Sequence, residues 1–485
     1  MIEPARPLVI KQDPRAPWFA VGVVCFGAFM GQLDASIVTL TFGPMQRQFA
    51  APLAGVQWVS LAYLLALVGL LTPIGRLSDA VGRKLMYTYG FAAFTAASIA
   101  CGLAPTLGLL VAFRLVQAAG AAMLQANSVA LVTTSAPKAR MRFALGVQAG
   151  AQAVGLALGP TLGGLLTSTV GWRAVYWVNV PVGILAIAAG RYLLPRTREF
   201  SRPGRFDWPG TLLLVGWTSG LLLVLSAASG LTMPAWLIIA LAALTAAAIA
   251  AFGFRQNRAA CPLIPVRMLR SAPVVLGLAG SACGYLILFG PLVLIPQLLG
   301  HGPGSEARTG LLLSALPLGF GLAALFGDTV LPKAWGNRQR GFAGAVLTCV
   351  AMCAAVFIPI DPVTTVVLLS LAGLGLGVFV PANNTVVMRS TEASSASLLG
   401  GLVNMSRGIG TTLGISLVAL GLHLGTNRYA GAAHVSGRPA FIVLAAVAGV
   451  AAVIALAGRH AQKAEQAQKG RQAQAREADP AGAFS

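Results

Sequence analysis

Two charged residues stand inside long apolar stretches of the chain. Asp34 lies within residues 17–43 and Arg114 within residues 106–133. Burial penalises the charged form of a carboxylate, which makes Asp34 a candidate for exchanging protons. A buried arginine is expensive in lipid, so Arg114 is expected to face a cavity and a partner. Structural alternatives stay open: Asp34 as the partner of a nearby polar group, and Arg114 extended toward the membrane surface.

A second set of polar residues could line a central cavity. Arg407 lies about eleven residues into another apolar run, close to the midplane of a spanning helix at 1.5 Å per residue. It requires a carboxylate, backbone carbonyls or an anionic ligand, and a purely structural role is the alternative. For each polar residue, helix–helix hydrogen bonding is an equal alternative to ligand contact. The cavity candidates are Asp34, Gln125, Gln148, Gln152, Asn404 and Arg407.

The sequence carries no pattern typical of a catalytic centre. It has no phosphate-binding Walker run, no HExxH, no nucleophile elbow and no metal-ligand spacing. None of its six cysteines forms a CxxC pair. We therefore expect a protein that is not an enzyme and that holds neither a cofactor nor a metal.

The elements that must position these residues are apolar helices. Hydrophobic residues make up 56% of the chain and charged residues only 10%, against roughly 25% charged in soluble domains. Lipid offers no partner to a free backbone group, so each run is predicted to be helical. We predict an all-α polytopic membrane protein with fourteen spans, at residues 17–43, 53–74, 85–103, 106–133, 142–167, 172–193, 209–228, 233–254, 273–299, 308–330, 341–359, 362–387, 396–424 and 439–457.

The basic residues are distributed by topology. With the N-terminus on the cytoplasmic side, 27 of the 34 Lys and Arg residues fall on cytoplasmic segments. This bias predicts a multi-pass protein of the plasma membrane with both termini in the cytoplasm. It also explains the net charge of +21 without nucleic acid, which we do not expect as a partner. The lipid bilayer is the expected surrounding partner.

The segment after the second run, G-R-L-S-D-A-V-G-R-K at residues 75–84, is the most specific motif. Gly75 and Gly82 permit a tight turn, and Asp79 can face the positive N-terminus of a neighbouring helix. Residues 329–338 repeat the pattern weakly, which indicates two related halves. The motif resembles the signature between helices 2 and 3 of the major facilitator superfamily. The resemblance implies that Gly75, Asp79, Gly82 and Arg83 latch one conformation of the transport cycle.

The fifth run contains a glycine stripe beside a proline. Gly155, Gly159 and Gly163 recur every four residues, followed by Gly164, and Pro160 removes a backbone hydrogen bond and bends the helix. The run resembles the motif associated with antiporters and exporters of the superfamily. A general small-residue packing surface is the alternative interpretation.

Three further runs carry the resemblance. They are L-D-A-S-I-V-T-L at 33–40, R-L-V-Q-A-A-G-A-A at 114–122 and W-R-A-V-Y-W-V-N-V-P-V-G at 172–183. They are similar to segments of helices 1, 4 and 6 in the fourteen-span drug:proton antiporters. The resemblance implies that Asp34 and Arg114 take part in proton coupling.

The expected architecture follows from this family. The fold would be two six-helix bundles plus two extra transmembrane helices. The divisions would be a cytoplasmic segment (1–16), an N-terminal bundle (17–193), a basic loop with two added helices and a second loop (194–272), a C-terminal bundle (273–457) and a cytoplasmic polar tail (458–485).

The expected function is proton-coupled export of drugs or other small amphipathic molecules by alternating access. Protons and an amphipathic substrate would be the partners, and the protein is expected to be a monomer. Two alternatives remain: an exporter of a specific metabolite or lipid on the same fold, and a membrane sensor that transports nothing.

Overall fold

We analysed a computed structural model of the chain. It describes residues 6–197, 206–228, 233–259, 261–299, 305–332, 334–390, 393–425 and 437–457. The predicted polar tail 458–485 and the middle of the basic loop lie outside the described residues.

The described part consists of long helices joined by short connections. Thirteen are long and apolar enough to cross a membrane, and α5 is a fourteenth, bent by 40° between Gly159 and Thr161. The protein is a multi-pass membrane protein, and the predicted fold class is confirmed. The helices are α1 (Ala16–Ile37), α2 (Leu53–Val81), α3 (Arg83–Leu103), α4 (Leu107–Ser135), α5 (Met141–Thr169), α6 (Ala174–Leu193), α7 (Trp208–Ala228), α8 (Ala235–Arg258), α9 (Ala272–Leu299), α10 (Ser305–Val330), α11 (Asn337–Phe357), α12 (Pro362–Arg389), α13 (Ala396–Gly425) and α14 (Arg438–Ala457).

Two predicted boundaries were wrong. The first span, predicted as 17–43, ends as an α-helix at Ile37 and continues through a 3₁₀ turn, Val38–Thr41, into a short helix, Phe42–Phe49. Pro44 has no N–H group to continue the regular hydrogen-bond ladder at this point. The second span, predicted to end at residue 74, runs on to the residue before Gly82.

Helices α1–α6 and α9–α14 form two bundles, and two of the apolar clusters continue across the contact between them. The first cluster includes the buried rings Tyr87, Phe91 and Phe94, and the second includes Phe320 and Phe379. The domain limits at residues 193 and 273 stay a prediction.

The two extra helices are placed on the flank where the bundles meet. Helix α7 packs against α2 and α13, whereas α8 packs mainly against α7. Only 6% of the most apolar 18-residue stretch of α8 is buried inside the protein. Asp207 before α7 forms an ion pair with Arg255 of α8 at 2.8 Å, which ties the two helices together.

We call the side of the bundle that carries the α2–α3 and α4–α5 connections the basic face. The closest approaches between the bundles lie in the half of the molecule next to this face. A Cβ at Gly401 of α13 would meet the carbonyl oxygen of Leu71 at 2.5 Å, and one at Gly146 of α5 would collide with the carbonyl oxygen of Ala324 in α10. Backbone therefore touches backbone here, and the basic face is closed.

Candidate functional site: a basic-face latch and a buried ion pair

Asp79, at the end of α2, caps the N-terminus of α13 in the other bundle. Its carboxylate accepts hydrogen bonds from the backbone N–H groups of Ser397 at 3.0 Å and Leu398 at 2.8 Å. Unpaired N–H groups give a helix N-terminus partial positive charge, which stabilises a carboxylate. Gly75 lies against the same turn, because a Cβ there would come within 3.0 Å of the carbonyl carbon of Ser397. Asp79 thus fastens the two bundles together.

Two of the three basic residues of this motif, Arg83 and Lys84, are buried. Arg83 is 4% exposed and donates from Nε and Nη2 to Oδ1 of Asp79 at 3.0 and 2.8 Å. Lys84 donates to the carbonyl oxygen of Leu194 at 2.9 Å. The connection was predicted to span residues 75–84, but in the structure α2 ends at Val81 and α3 begins at Arg83, so Gly82 alone connects them. Its φ of 125° lies in a region that L side chains rarely adopt, so the chain turns at one residue.

A second contact joins the bundles at the basic face. Arg142 at the start of α5 forms an ion pair with Asp328 of α10 and donates to Oδ1 of Asn337 at 2.8 Å. Arg340 of α11 donates to the same Asp328 oxygen at 3.0 Å. Sequence analysis did not single out this cluster, because the second copy of the motif is degenerate.

Asp34 and Arg114 meet in the half of the N-terminal bundle farther from the basic face. Arg114 Nη1 donates to Asp34 Oδ2 at 2.7 Å, and the side chains are 1% and 0% exposed. Arg114 Nε also donates to the carbonyl oxygen of Val59 at 3.0 Å. Its Cζ lies 3.9 Å from the ring centroid of Tyr63. The guanidinium therefore points into the bundle, and the outward-extended alternative for Arg114 is wrong.

Amide side chains complete the surroundings of Asp34. Gln117 Nε2 donates to Asp34 Oδ1 at 3.2 Å and to Ser98 Oγ at 2.8 Å, while its Oε1 accepts from Arg114 at 2.7 Å. Asn179 Nδ2 is 3.5 Å from the same Asp34 oxygen. This network draws on α1, α3, α4 and α6, so a change in the charge of Asp34 would be felt by four helices.

The glycines of α5 bring that helix against the segment of α1 that carries Asp34. A Cβ at Gly155 would meet the carbonyl oxygen of Phe29 at 2.6 Å and the backbone nitrogen of Leu33 at 3.2 Å. At Gly159 it would collide with the side chain of Ser36. Gly163 is buried.

Gly164, the last position of the motif, differs from this pattern. Gly164 is exposed, and a Cβ there would meet nothing within 4 Å. The bend of α5 falls at Pro160, whose side chain lies outside the described residues.

We expect Gly155→Ala to reduce export strongly and Gly164→Ala to leave it unchanged. The added methyl at Gly155 must displace the backbone of α1, and overpacking of this kind costs about 1–3 kcal/mol. The methyl at Gly164 meets open space. Efflux rate and thermal unfolding midpoint of the two purified variants provide the comparison. Equal effects of the two substitutions would contradict this packing role.

Near the middle of the molecule, a chain of polar contacts links the bundles. Tyr285 of α9 donates its hydroxyl to Gln152 Oε1 of α5 at 3.1 Å. Arg407 of α13 lies over the Tyr285 ring, with Cζ 5.0 Å from the centroid, and donates to Asn404 Oδ1 at 2.9 Å. Asn404 in turn donates to the carbonyl oxygen of Gln125 of α4 at 2.7 Å. We call Gln152, Tyr285, Arg407, Asn404 and Gln125 the central polar chain.

The structure thus separates the predicted cavity candidates into two groups. Asp34 bonds only to residues of the N-terminal bundle and shares no described hydrogen bond with the central polar chain. Gln148 lies one helical turn from Gln152 on the same face of α5 and is 3% exposed. Sequence reasoning missed Tyr63 and Tyr285, because an aromatic ring in an apolar run gives no signal of its partner.

Comparison with known proteins decides the family. The Major Facilitator Superfamily profile matches residues 24–415, and a second match covers 277–483. The chain belongs to the major facilitator superfamily. This transporter family is consistent with the absence of a catalytic pattern in the sequence.

Individual relatives agree with this membership. The puromycin resistance protein pur8 of Streptomyces alboniger is 33% identical over 425 residues, 84% of this chain and 82% of that protein. The tetracenomycin C resistance and export protein of Streptomyces glaucescens is 31% identical over 413 residues, 83% of this chain and 76% of that protein. The riboflavin transporter RibZ of Clostridioides difficile is 28% identical over 411 residues, 84% and 89% of the two chains.

The fold has a solved counterpart. The crystal structure of the human organic anion transporter MFSD10 superposes with a TM-score of 0.64, covering 92% of this chain and 100% of that one. The two sequences are 15% identical, so this likeness concerns the fold alone.

Proposed function

We propose that this major facilitator protein exports drugs or other amphipathic small molecules in exchange for protons. The observation that carries the proposal is the fully buried Asp34–Arg114 ion pair inside a transporter fold. Relatives named as resistance and export proteins support a drug-like substrate. The closed basic face of the structure would be one end state of an alternating-access cycle.

Protonation of Asp34 gives a physical route to coupling. A proton on Asp34 removes the only carboxylate that faces Arg114 in the described structure, leaving a buried guanidinium held by the Val59 carbonyl, Gln117 and aromatic rings. Removing one partner of a buried ion pair destabilises the folded protein by about 3–5 kcal/mol. The packing of α1 against α4 and α5 is therefore expected to depend on whether Asp34 carries a proton.

Topology would give the exchange its direction. We propose that the basic face is cytoplasmic, that both termini lie there, and that the protein resides in the plasma membrane as a monomer. A proton moving inward then gains about 2.3 kcal/mol per 100 mV of membrane potential, in addition to the pH gradient. Asp34 lies in the half farther from the basic face, which supports uptake of the proton from the outer side.

The test is proton-driven export by the purified protein. Proteoliposomes would be loaded with a fluorescent amphipathic dye, and efflux followed with and without an imposed pH gradient and potential. We expect gradient-dependent efflux that an uncoupler abolishes. Dye efflux at the same rate with and without the imposed gradient would contradict antiport.

A second candidate is an exporter of one specific metabolite. It is favoured by the relative named as a riboflavin transporter, which matches as much of this chain as the resistance proteins do. A panel of dissimilar amphipaths separates the two candidates, because a metabolite exporter would transport one chemical class only.

A further inference from the structure

We infer that the central polar chain recognises an acidic group, so that the preferred substrates are amphipathic anions held by Arg407. This inference rests on the proposed export function and names the substrate class for it. The first observation concerns the partners that the described carboxylates already have.

Among the carboxylates of the spanning helices whose side chains the structure describes, Asp34, Asp79 and Asp328 are already paired. Asp34 accepts from Arg114, Gln117 and Asn179. Asp79 is engaged at the N-terminus of α13 as well as with its own arginine, and Asp328 accepts from two arginines at the basic face. A cationic substrate in the middle of the molecule would therefore compete for a carboxylate that already has its partners.

Arg407 shows the opposite situation. The residue is 5% exposed, and within the described part of the chain no carboxylate lies at ion-pair distance from it. Its Nε atom is buried and has no hydrogen-bond partner. A buried cation without a counter-ion is unfavourable in a low-dielectric interior. A ligand that brings a negative charge would satisfy this atom and offset that cost.

A second unsatisfied donor lies one helical turn from the Gln152 end of the central polar chain. Gln148 Nε2 is buried without a partner, on the face of α5 that presents Gln152 to Tyr285. The donors come from α13 in one bundle and α5 in the other, so one acidic ligand could touch both. The face of the Tyr285 ring that would attract a cation is already covered by Arg407. Two buried donors without partners, Arg407 Nε and Gln148 Nε2, therefore favour a ligand that brings acceptor atoms.

A matched series of probes tests the charge preference. We would use 11-(dansylamino)undecanoic acid, its primary amide, and 11-(dansylamino)undecylamine with its terminal amine free, which share the dansyl group and an eleven-carbon chain but are anionic, neutral and cationic. Binding to purified protein in nanodiscs would be followed by dansyl fluorescence for wild type, Arg407→Gln and Arg407→Lys. Asp361→Asn is the control, since Asp361 is an exposed cap of α12 outside the central polar chain and asparagine also caps helices.

We expect wild type to bind the acid at least about tenfold more tightly than the amide and the amine, since hydrogen bonds between charged groups are stronger than those between neutral groups. Arg407→Gln should bring the acid down to the affinity of the amide without weakening the amide. Arg407→Lys should keep most of the preference, and Asp361→Asn should keep all of it.

Equal binding of acid and amide by wild type, or an acid preference that survives Arg407→Gln, would overturn the inference. So would a loss of amide binding in Arg407→Gln alongside the acid, because that result indicates a structural role. Gradient-driven efflux of the amine or amide by a protein without acid preference would leave antiport intact and refute only the substrate class.

Discussion

Asp34→Asn is expected to reduce gradient-driven efflux to about the level of membranes without the protein. Asparagine keeps the size of the side chain and can still accept a hydrogen bond from Arg114 through its single carbonyl oxygen. It cannot carry the charge that neutralises this buried arginine at 2.7 Å, and it cannot bind and release a proton. We therefore expect the efflux rate to fall by more than any loss of folding stability in this variant would explain.

The matched control is Asp361→Asn. Asp361 is exposed and caps α12 by accepting from the N–H of Val363 at 2.8 Å, a role that asparagine fills equally well. Efflux of this variant should equal that of wild type. Transport by Asp34→Asn that still follows the proton gradient would move coupling away from this pair and leave Asp34 a structural residue.

Asp79→Asn is expected to open the basic face and to lower export by at least about tenfold. The substitution removes the charge of the carboxylate that pairs with buried Arg83 and weakens the cap on α13. An anion at a helix N-terminus contributes about 0.3–2 kcal/mol, and the broken ion pair adds to this loss. Every 1.4 kcal/mol changes a population ratio tenfold, so the closed state should lose its dominance.

Thiol accessibility reports this opening directly. Ala130 of α4 is buried, and its backbone nitrogen lies 3.8 Å from the position of a Cβ on Gly400 of α13. Ala130→Cys on a cysteine-free background should react slowly with an impermeant thiol reagent applied to the basic face. Adding Asp79→Asn should accelerate the reaction, and adding Asp361→Asn should not. An unchanged rate in the Asp79 variant would show that the capping contact does not hold this face closed.

The sequence predicted the helical spans and the basic residues of the connections well, because both follow from the properties of the bilayer. Lipid requires helical spans, and basic loops report topology. Asp34 and Arg114 could be paired as candidates because each is a costly exception within an apolar run. The motif also predicted that Asp79 would face the N-terminus of a neighbouring helix, but it did not predict that this helix would be α13.

The remaining contacts depend on packing that no local pattern encodes. Tyr63 and Tyr285 become partners of arginines only when separate helices pack together, α2 with α4 and α9 with α13. The pairing of Arg142 with Asp328 joins residues 186 positions apart, in a repeat too degenerate to recognise. The sequence likewise placed Asp34 with the central cavity, whereas packing encloses it within the N-terminal bundle.

The most direct test of proton-coupled export is the proton movement that substrate itself drives. Proteoliposomes with an internal pH indicator and no imposed gradient would receive a substrate gradient, for wild type and for Asp34→Asn. The account predicts proton flux opposite to substrate flux in wild type and none in the variant. Substrate movement by wild type without any proton flux would contradict it.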